Sequence, residues 1–178
     1  MRIGTLAIVL CSVLSAGGLT SSPGPKGPGP QTSPSPEGWR SFQGGWSAVG
    51  RRQTLPTDRG GTASVVQLAG AVVLTDGTGT SFGFQGKAIG FDDGDGVSVG
   101  RAVWTDARGD EVFSTLKGEP FQTGRRITGT IAGGTGAYGG VTGEYALTWQ
   151  YVVNGGDDIV QGRSVDLNGR FRRNGKQR

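Results

Sequence analysis

Apolar and polar residues alternate most clearly between residues 125 and 151, RRITGTIAGGTGAYGGVTGEYALTWQY. A period of two is typical of a β-strand with one buried face. The central GGTGAYGG supplies glycines that accept positive φ, which a tight reversal of the chain requires. The segment therefore predicts a strand, a glycine-rich turn and a second strand. On the second strand, one face carries Tyr145, Leu147, Trp149 and Tyr151.

Similar alternation, interrupted by Gly/Asp turn signals, continues through residues 38–172. The pattern predicts strands at 45–55, 63–75, 81–91, 97–106, 110–117, 125–132, 142–153 and 160–172. The intervening sequences TDGTG, DDGDG, DARGD and NGGDD are typical of hairpin turns. No window shows a helical apolar stripe with caps, so we expect an all-β domain.

Consecutive, hairpin-linked strands leave two unpaired edges unless the sheet closes on itself. A single eight-stranded antiparallel up-and-down β-barrel removes both edges and leaves room for side chains or one small ligand. A β-sandwich is the alternative, but it needs crossover connections that these short turns do not provide. The sequence therefore favours the barrel.

The ends of the chain differ in composition from this domain. Residues 1–20 have Arg2, a short apolar run and small residues, which predicts a secretory signal peptide rather than a membrane span. Residues 21–37, SSPGPKGPGPQTSPSPE, predict a disordered linker. The barrel domain is assigned to residues 38–172 and a basic tail to 173–178. We therefore expect a secreted, periplasmic or envelope-associated protein with no integral membrane segment in its mature form.

Charge and residue counts exclude several functional classes. The chain has 18 Lys and Arg against 14 Asp and Glu, but five of the basic residues lie in the last nine positions. The domain itself is nearly neutral, which argues against nucleic acid as a partner. Histidine is absent and Cys11, in the predicted signal, is the single cysteine. Ser-His-Asp and Cys-His catalysis and the usual zinc sites are thereby excluded, and we expect no metal.

Some charged residues share strand faces with apolar ones. In a pattern with a period of two, Arg101 shares a face with the valines of its strand, and Arg163 shares a face with Leu167. If these faces line the barrel, both guanidinium groups need a carboxylate, such as Glu111 or Glu119, or a ligand anion. Arg101, Glu111 and Arg163 would then form either a catalytic polar cluster or, as is commoner, a structural ion pair. A one-residue bulge would reverse the faces and place these side chains outside.

Other charged and aromatic residues have simpler interpretations. The pairs Arg51–Arg52 and Arg125–Arg126 are interpreted as solvated strand ends, and the aspartates of DDGDG as turn residues rather than calcium ligands. The G-x-G-x-x-G match at 134–139 precedes a strand pattern, so it predicts a turn and not a dinucleotide site. Five aromatic residues are candidates for a hydrophobic ligand pocket, although core packing is their commoner role: Phe82, Phe84, Tyr145, Trp149 and Tyr151.

The GGTGAYGGVTGEYAL segment resembles the late glycine-rich hairpin of the allene oxide cyclase/dirigent barrel superfamily. The segment from FQGKAIG to TLKGE also resembles secreted bacterial relatives of these barrels, and the similarity covers roughly residues 46–171. The resemblance implies an eight-stranded barrel with a hydrophobic pocket, assembled as a homo-oligomer such as a dimer or trimer. It also implies guided cyclisation or coupling of a reactive intermediate without a cofactor.

Two functional hypotheses follow. The first is a cofactor-free cyclase or isomerase acting on a hydrophobic small molecule, which predicts polar groups converging deep in an open cavity. The second is a secreted module that binds a small molecule, or interacts with the cell envelope, without turnover. A solidly packed barrel interior would remove the first hypothesis.

Overall fold

The computed structural model describes residues 38–58, 60–122, 124–154 and 158–173 of the protein. The predicted signal peptide and linker, and residues 174–178 of the predicted tail, lie outside these residues. So do residues 155–157 of the predicted NGGDD turn.

The described chain forms eight strands and one short 3₁₀ turn. The elements are β1 (Arg40–Pro56), β2 (Thr62–Asp76), β3 (Ser81–Asp92), β4 (Ser98–Asp106), β5 (Glu111–Phe121), β6 (Gly124–Gly134), η1 (Gly136–Tyr138), β7 (Val141–Asn154) and β8 (Ile159–Arg173). The strands lie within a few residues of the predicted ones. The largest difference is at β1, which begins at Arg40 because Phe42 continues the inward face and packs against Trp104 and Phe171.

Each strand pairs antiparallel with its neighbours in sequence, and β1 also pairs with β8. Val49 of β1, for example, lies opposite Ala69 of β2 on one side and Gln161 of β8 on the other. The sheet is therefore a closed eight-stranded barrel, as the sequence predicts, and the sandwich alternative is wrong. Closure leaves no strand edge unpaired.

Alternation decides which side chains fill the barrel. On β1 to β5 the even-numbered residues point inward. On β6 up to Ile131 and on β7 up to Tyr151 the odd-numbered residues do, and a register shift beyond each of these positions changes the parity. The predicted inward face of β7 is confirmed, since Tyr145, Leu147 and Trp149 are buried. The core also contains Phe42, Trp46, Val72, Leu74, Trp104, Val112, Ile131, Val141, Val160 and Leu167.

A bulge in β8 changes the parity of its inward face. Two residues of β8 lie opposite one residue of β7 between the pairs Ala146–Asn168 and Thr148–Val165, and Asp166 within the bulge has φ of 55°. Val160 is inward before the bulge and Leu167 after it, and both are buried. Residues of equal parity on the two sides of the bulge therefore face opposite ways.

The GGTGAYGG segment closes one end of the barrel. Its 3₁₀ turn places Tyr138 against Phe84, with ring centroids 5.7 Å apart. The Ala137 N–H donates to the Asp110 carboxylate at 3.0 Å, and the Tyr138 hydroxyl donates to Asp106 at 3.3 Å. Partial burial, followed by the nearby charge of Asp106, raises the pKa of Tyr138. This end, the closed end, is thus sealed by aromatic rings and by the β4–β5 turn.

Candidate functional site

A cavity of about 600 Å³ enters the barrel from the other end, the open end, where the β1–β2, β3–β4 and β5–β6 loops lie. Its wall is largely apolar, with Val66, Leu68, Ala88, Leu116 and Ile127 along the sides. Polar side chains are concentrated near the mouth. The volume lies within the range of roughly 300–1,000 Å³ that small-molecule sites occupy.

Inward-facing glycines leave space for this cavity. Gly90, Gly100 and Gly118 line it from three adjacent strands, β3, β4 and β5. A Cβ at Gly90 would meet its nearest neighbour, Val66, at an ordinary 3.5 Å, whereas one at Gly118 would lie 2.4 Å from the Ser98 hydroxyl. The space beside Gly90 is therefore free to accept either a larger side chain or a ligand.

An ion pair lies at the mouth of the cavity. Arg125 on β6 donates from Nη2 to Oδ2 of Asp92, the last residue of β3. The Arg125 Nη1 group also reaches the Gly96 carbonyl at 3.3 Å and the Ser98 hydroxyl at 3.4 Å. Asp92 is only 9% exposed, and its other oxygen accepts the Gly94 N–H at 2.8 Å. The pair is therefore held in place on several sides.

A second arginine at the mouth has no carboxylate partner among the described residues. Arg52 of β1 donates to the Asn154 side-chain carbonyl at 2.6 Å, and its guanidinium lies 4.8 Å from the centre of the Tyr151 ring. All three residues line the cavity. Among the described residues, no carboxylate therefore offsets the charge of Arg52 where a ligand would enter.

Two tryptophans form the inner end of the cavity. Trp46 and Trp149 pack with ring centroids 5.0 Å apart, and both line the cavity. The Nε1 donors of both rings are buried without a hydrogen-bond acceptor. Buried donors normally have partners, so these two are exceptions that require an explanation.

The residues predicted to be catalytic do not meet in this cavity. Arg101 and Arg163 are exposed on the outer surface, and Glu111 is partly exposed on the outward face of β5. The expectation that they point inward is wrong, and the reversed arrangement is correct. On β4 the inward residues are Ala102 and Trp104. Arg163 lies before the bulge in β8 and Leu167 after it, so their equal parity does not place them on one face.

The five predicted pocket aromatics are distributed along the barrel. Trp149 and Tyr151 line the cavity, as expected. Phe82 and Phe84 lie at the closed end beside a separate apolar pocket of about 110 Å³. Tyr145 lies in the packed core between the two ends, where burial raises its pKa to about 12 despite a hydrogen bond with Ser114.

Sequence reasoning missed the polar groups of the mouth. Arg125 and Asp92 are paired and largely buried, so their interpretation as solvated residues is wrong, although Asp92 does make the predicted turn by accepting the Gly94 N–H. Arg52 is inward but partly exposed at its strand end. The sequence nevertheless contained a signal. In a pattern with a period of two, Arg52 lies on the same strand face as Trp46, and Arg125 on the same face as Ile127. Their neighbours Arg51 and Arg126 are exposed, as predicted.

No group of three or more His, Cys, Asp or Glu side chains suited to a metal ion occurs in the described part of the chain. Within that same part, no helix is long and apolar enough to cross a membrane. The chain matches no known protein-family model and no curated protein. The cavity at the open end is thus the candidate site, and its function must be argued from its chemistry.

Proposed function

We propose that the protein is a secreted barrel that binds a hydrophobic small molecule in the cavity at its open end. The observation that carries the proposal is the cavity itself, which has apolar walls, a tryptophan floor and a cationic mouth. An apolar pocket with a few convergent polar groups is the usual form of a small-molecule site.

The charges at the mouth favour a ligand with an anionic or acceptor-rich head group. Arg52 has no carboxylate partner among the described residues, whereas Asp92 neutralises Arg125. A carboxylate beside Arg52 would gain a charge-assisted hydrogen bond. The indole Nε1 groups of Trp46 and Trp149 are fully buried, so the ligand would contact the ring surfaces rather than these donors.

Secretion and kinship with the allene oxide cyclase/dirigent superfamily belong to the same proposal. Both are supported by sequence features, namely the apolar N-terminal segment and the GGTGAYGG hairpin. Association into a dimer or trimer is a further part of it. The barrel fold agrees with this kinship, although many unrelated functions share a fold.

A fluorescence titration with a dansyl-labelled undecanoic acid tests the proposal. We expect saturable binding with energy transfer from Trp46 and Trp149, which lie at the cavity floor. Gly90→Leu should lower the affinity by about tenfold or more, since the ligand loses the contacts of two or three buried methylene groups at ~0.8 kcal/mol each. Gly83→Leu, on the outer face of the same strand and with open space around its Cβ, is the matched control.

The head-group assignment is tested with Arg52→Met. We expect weaker binding of the labelled acid and unchanged binding of its methyl ester, since only the acid carries the charge that Arg52 pairs with. Equal affinities of the Gly90→Leu variant and the unmodified protein would refute binding in the cavity. If Arg52→Met lowers the affinity for the acid and for the ester equally, the proposed role of Arg52 is refuted.

A cofactor-free cyclase or isomerase is the second candidate, and one observation favours it. Asp92 is a nearly buried carboxylate at the cavity, where it could exchange a proton with a bound intermediate. Mass spectrometry of ligand extracted from the native protein distinguishes the two functions. Recovery of unchanged ligand after incubation favours binding, whereas a product that disappears with Asp92→Asn favours catalysis.

A further inference from the structure

The outer surface of β1 to β4 differs from the rest of the barrel exterior. Its outward residues form cross-strand rows, with Gln53, Val65, Phe91 and Val99 in one row and Arg51, Gln67, Ile89 and Arg101 in the next. A third row contains Val49, Ala69, Lys87 and Val103. We call this surface the apolar–cationic face.

Large apolar side chains on this face are open to solvent. Val49, Ile89, Phe91 and Val99 are 52%, 47%, 48% and 56% exposed. Ile89, Phe91 and Val99 neighbour one another, because Phe91 pairs with Val99 and Ile89 lies two residues before Phe91. Val49 lies two strands away, beside Ala69. Contiguous exposed apolar surface on a soluble domain usually marks an interaction site.

The charges on the apolar–cationic face are all of one sign. Arg51, Lys87 and Arg101 are outward and exposed, and none of them forms an ion pair with a described residue. No outward position of β1 to β4 carries a carboxylate, because the Asp residues of these strands are inward or at strand ends. Lys117, opposite Val99 on β5, is a further cation at the border, where it lies 3.8 Å from the Glu119 carboxylate of the same strand.

The opposite side of the barrel has the composition of an ordinary solvated surface. The outward residues of β6 and β7 are mainly threonine and alanine, although Val152 and Val153 near the end of β7 are also exposed. Glu144 on β7 pairs with Arg170 on β8, whose Nε lies 2.8 Å from Oε1. The two sides of the barrel exterior therefore differ in their distribution of charge. The near-neutral net charge of the whole domain does not show this difference.

We propose that the apolar–cationic face docks on the surface of an anionic lipid bilayer. Lysine and arginine pair with lipid phosphates, while exposed aliphatic and aromatic side chains enter the boundary between head groups and acyl chains. Arg51 and Lys117 lie on the two flanks of the apolar rows, where each reaches phosphates beside the inserted residues. This surface is separate from the cavity and its role does not depend on the proposed ligand.

Other partners fit the face less well. A second copy of the chain docked through the same face would bring together Arg51, Lys87 and Arg101 of both copies, with only the border carboxylates Asp158 and Glu119 to offset them. A nucleic acid would pair with the cations but would leave Val49, Ile89 and Val99 without apolar partners, since its specific contacts are hydrogen bonds and base stacking. Only a lipid surface supplies both phosphate charge and hydrocarbon.

Vesicle flotation with the full chain tests the proposal. The vesicles are phosphatidylcholine alone or with about one-third phosphatidylglycerol. We expect binding to the anionic vesicles that weakens as salt rises from about 0.05 to about 0.5 M. Each neutralised cation should lower the partition coefficient about fivefold, so Lys87→Gln/Arg101→Gln should bind about 25-fold more weakly. Arg126→Gln/Arg172→Gln, which removes the same charge elsewhere, is the control.

A second pair of variants separates the apolar contribution from charge. Ile89→Thr/Val99→Thr keeps β-branched residues in the strands and should weaken anionic-vesicle binding. Val152→Thr, on exposed β7, should not. All variants have the same N-terminal segment, so differences in their vesicle binding arise from the substitutions on the barrel surface. Gly90→Leu should retain vesicle binding, which separates this proposal from ligand binding in the cavity.

Three outcomes would overturn the proposal. The first is failure of the unmodified chain to bind anionic vesicles. The second is equal loss of binding in the Lys87/Arg101 variant and its charge-matched control. The third is concentration-dependent self-association in sedimentation velocity that Ile89→Thr/Val99→Thr abolishes, which would assign the face to a second copy of the chain.

Discussion

Gly129→Ala is a small change with a large expected effect on stability. Gly129 on β6 is inward and lies directly opposite Tyr145 on β7. The Tyr145 ring lies over the glycine, and a Cβ built there would be 2.1 Å from Cζ and 2.4 Å from Cε1. The absence of a side chain at residue 129 therefore makes room for the ring in the core.

The magnitude follows from three contributions. The ring must retreat by roughly 1.3 Å to reach ordinary contact at about 3.4 Å, and overpacking of this kind costs about 1–3 kcal/mol. Because Cζ carries the hydroxyl, the same shift breaks the hydrogen bond with Ser114, a net loss of about 1 kcal/mol. The lower entropy of the unfolded alanine chain offsets about 0.4–1 kcal/mol. We expect a net loss of about 2–3 kcal/mol.

Urea unfolding followed by tryptophan fluorescence measures this loss. With a slope of about 1–3 kcal/mol per molar, the midpoint should fall by about 1 M. Gly83→Ala, a strand glycine whose Cβ would meet nothing within 4 Å, should leave the midpoint unchanged or raise it slightly. In a Tyr145→Leu background, which lacks the Cε and Cζ atoms, Gly129→Ala should cost little. Additive losses in the double variant would refute the proposed contact.

Three further predictions use the same unfolding assay. Folding raises the pKa of Tyr145 to about 12, from about 10 in the unfolded chain. The neutral phenol therefore contributes its full share to the free energy of unfolding below about pH 10, and this share is lost between about pH 10 and 12. This loss should amount to about 2–3 kcal/mol and be absent in Tyr145→Phe. Gly136→Ala should cost about 1–3 kcal/mol, because residue 136 has φ of 46° and its Cβ would overlap the Asp110 carboxylate; an unchanged midpoint would show that the closed-end turn rearranges freely. Arg125→Met should cost about 1–3 kcal/mol by leaving Asp92 without its partner, and Asp92→Leu in the same chain should restore most of it.

Most of the fold could be predicted because the alternation of apolar and polar residues within each segment indicates a β-strand with two different faces. Hairpin turns such as TDGTG fix which strands are neighbours, and eight neighbours in sequence close most simply into a barrel. Alternation on β7 correctly places Tyr145, Leu147 and Trp149 inside. Closure itself needs the pairing of β1 with β8, which is the contact most distant in sequence.

The site could not be predicted as well, because a period of two identifies two faces but not which of them is inside. On β4 the valines suggest that Arg101 is inward, yet those valines belong to the exposed face, and Trp104 marks the inner one. On β8 the bulge at Asp166 breaks the parity that would have related Arg163 to Leu167. The strand tryptophans Trp46, Trp104 and Trp149, all buried, are thus a better guide to the interior of this barrel than its valines.

Adjacent arginines in β1 connect the two proposed surfaces. Arg52 is inward at the cavity mouth, where no described carboxylate pairs with it, while Arg51 is outward on the apolar–cationic face. A one-residue shift of β1 against β2 would exchange the two roles and also turn Phe42 and Trp46 out of the core. The buried aromatics therefore specify the register, and the register in turn assigns one arginine to ligand and the other to lipid. Substitutions that loosen the Phe42 or Trp46 packing should impair both proposed activities together, whereas Arg51→Gln should affect vesicle binding alone.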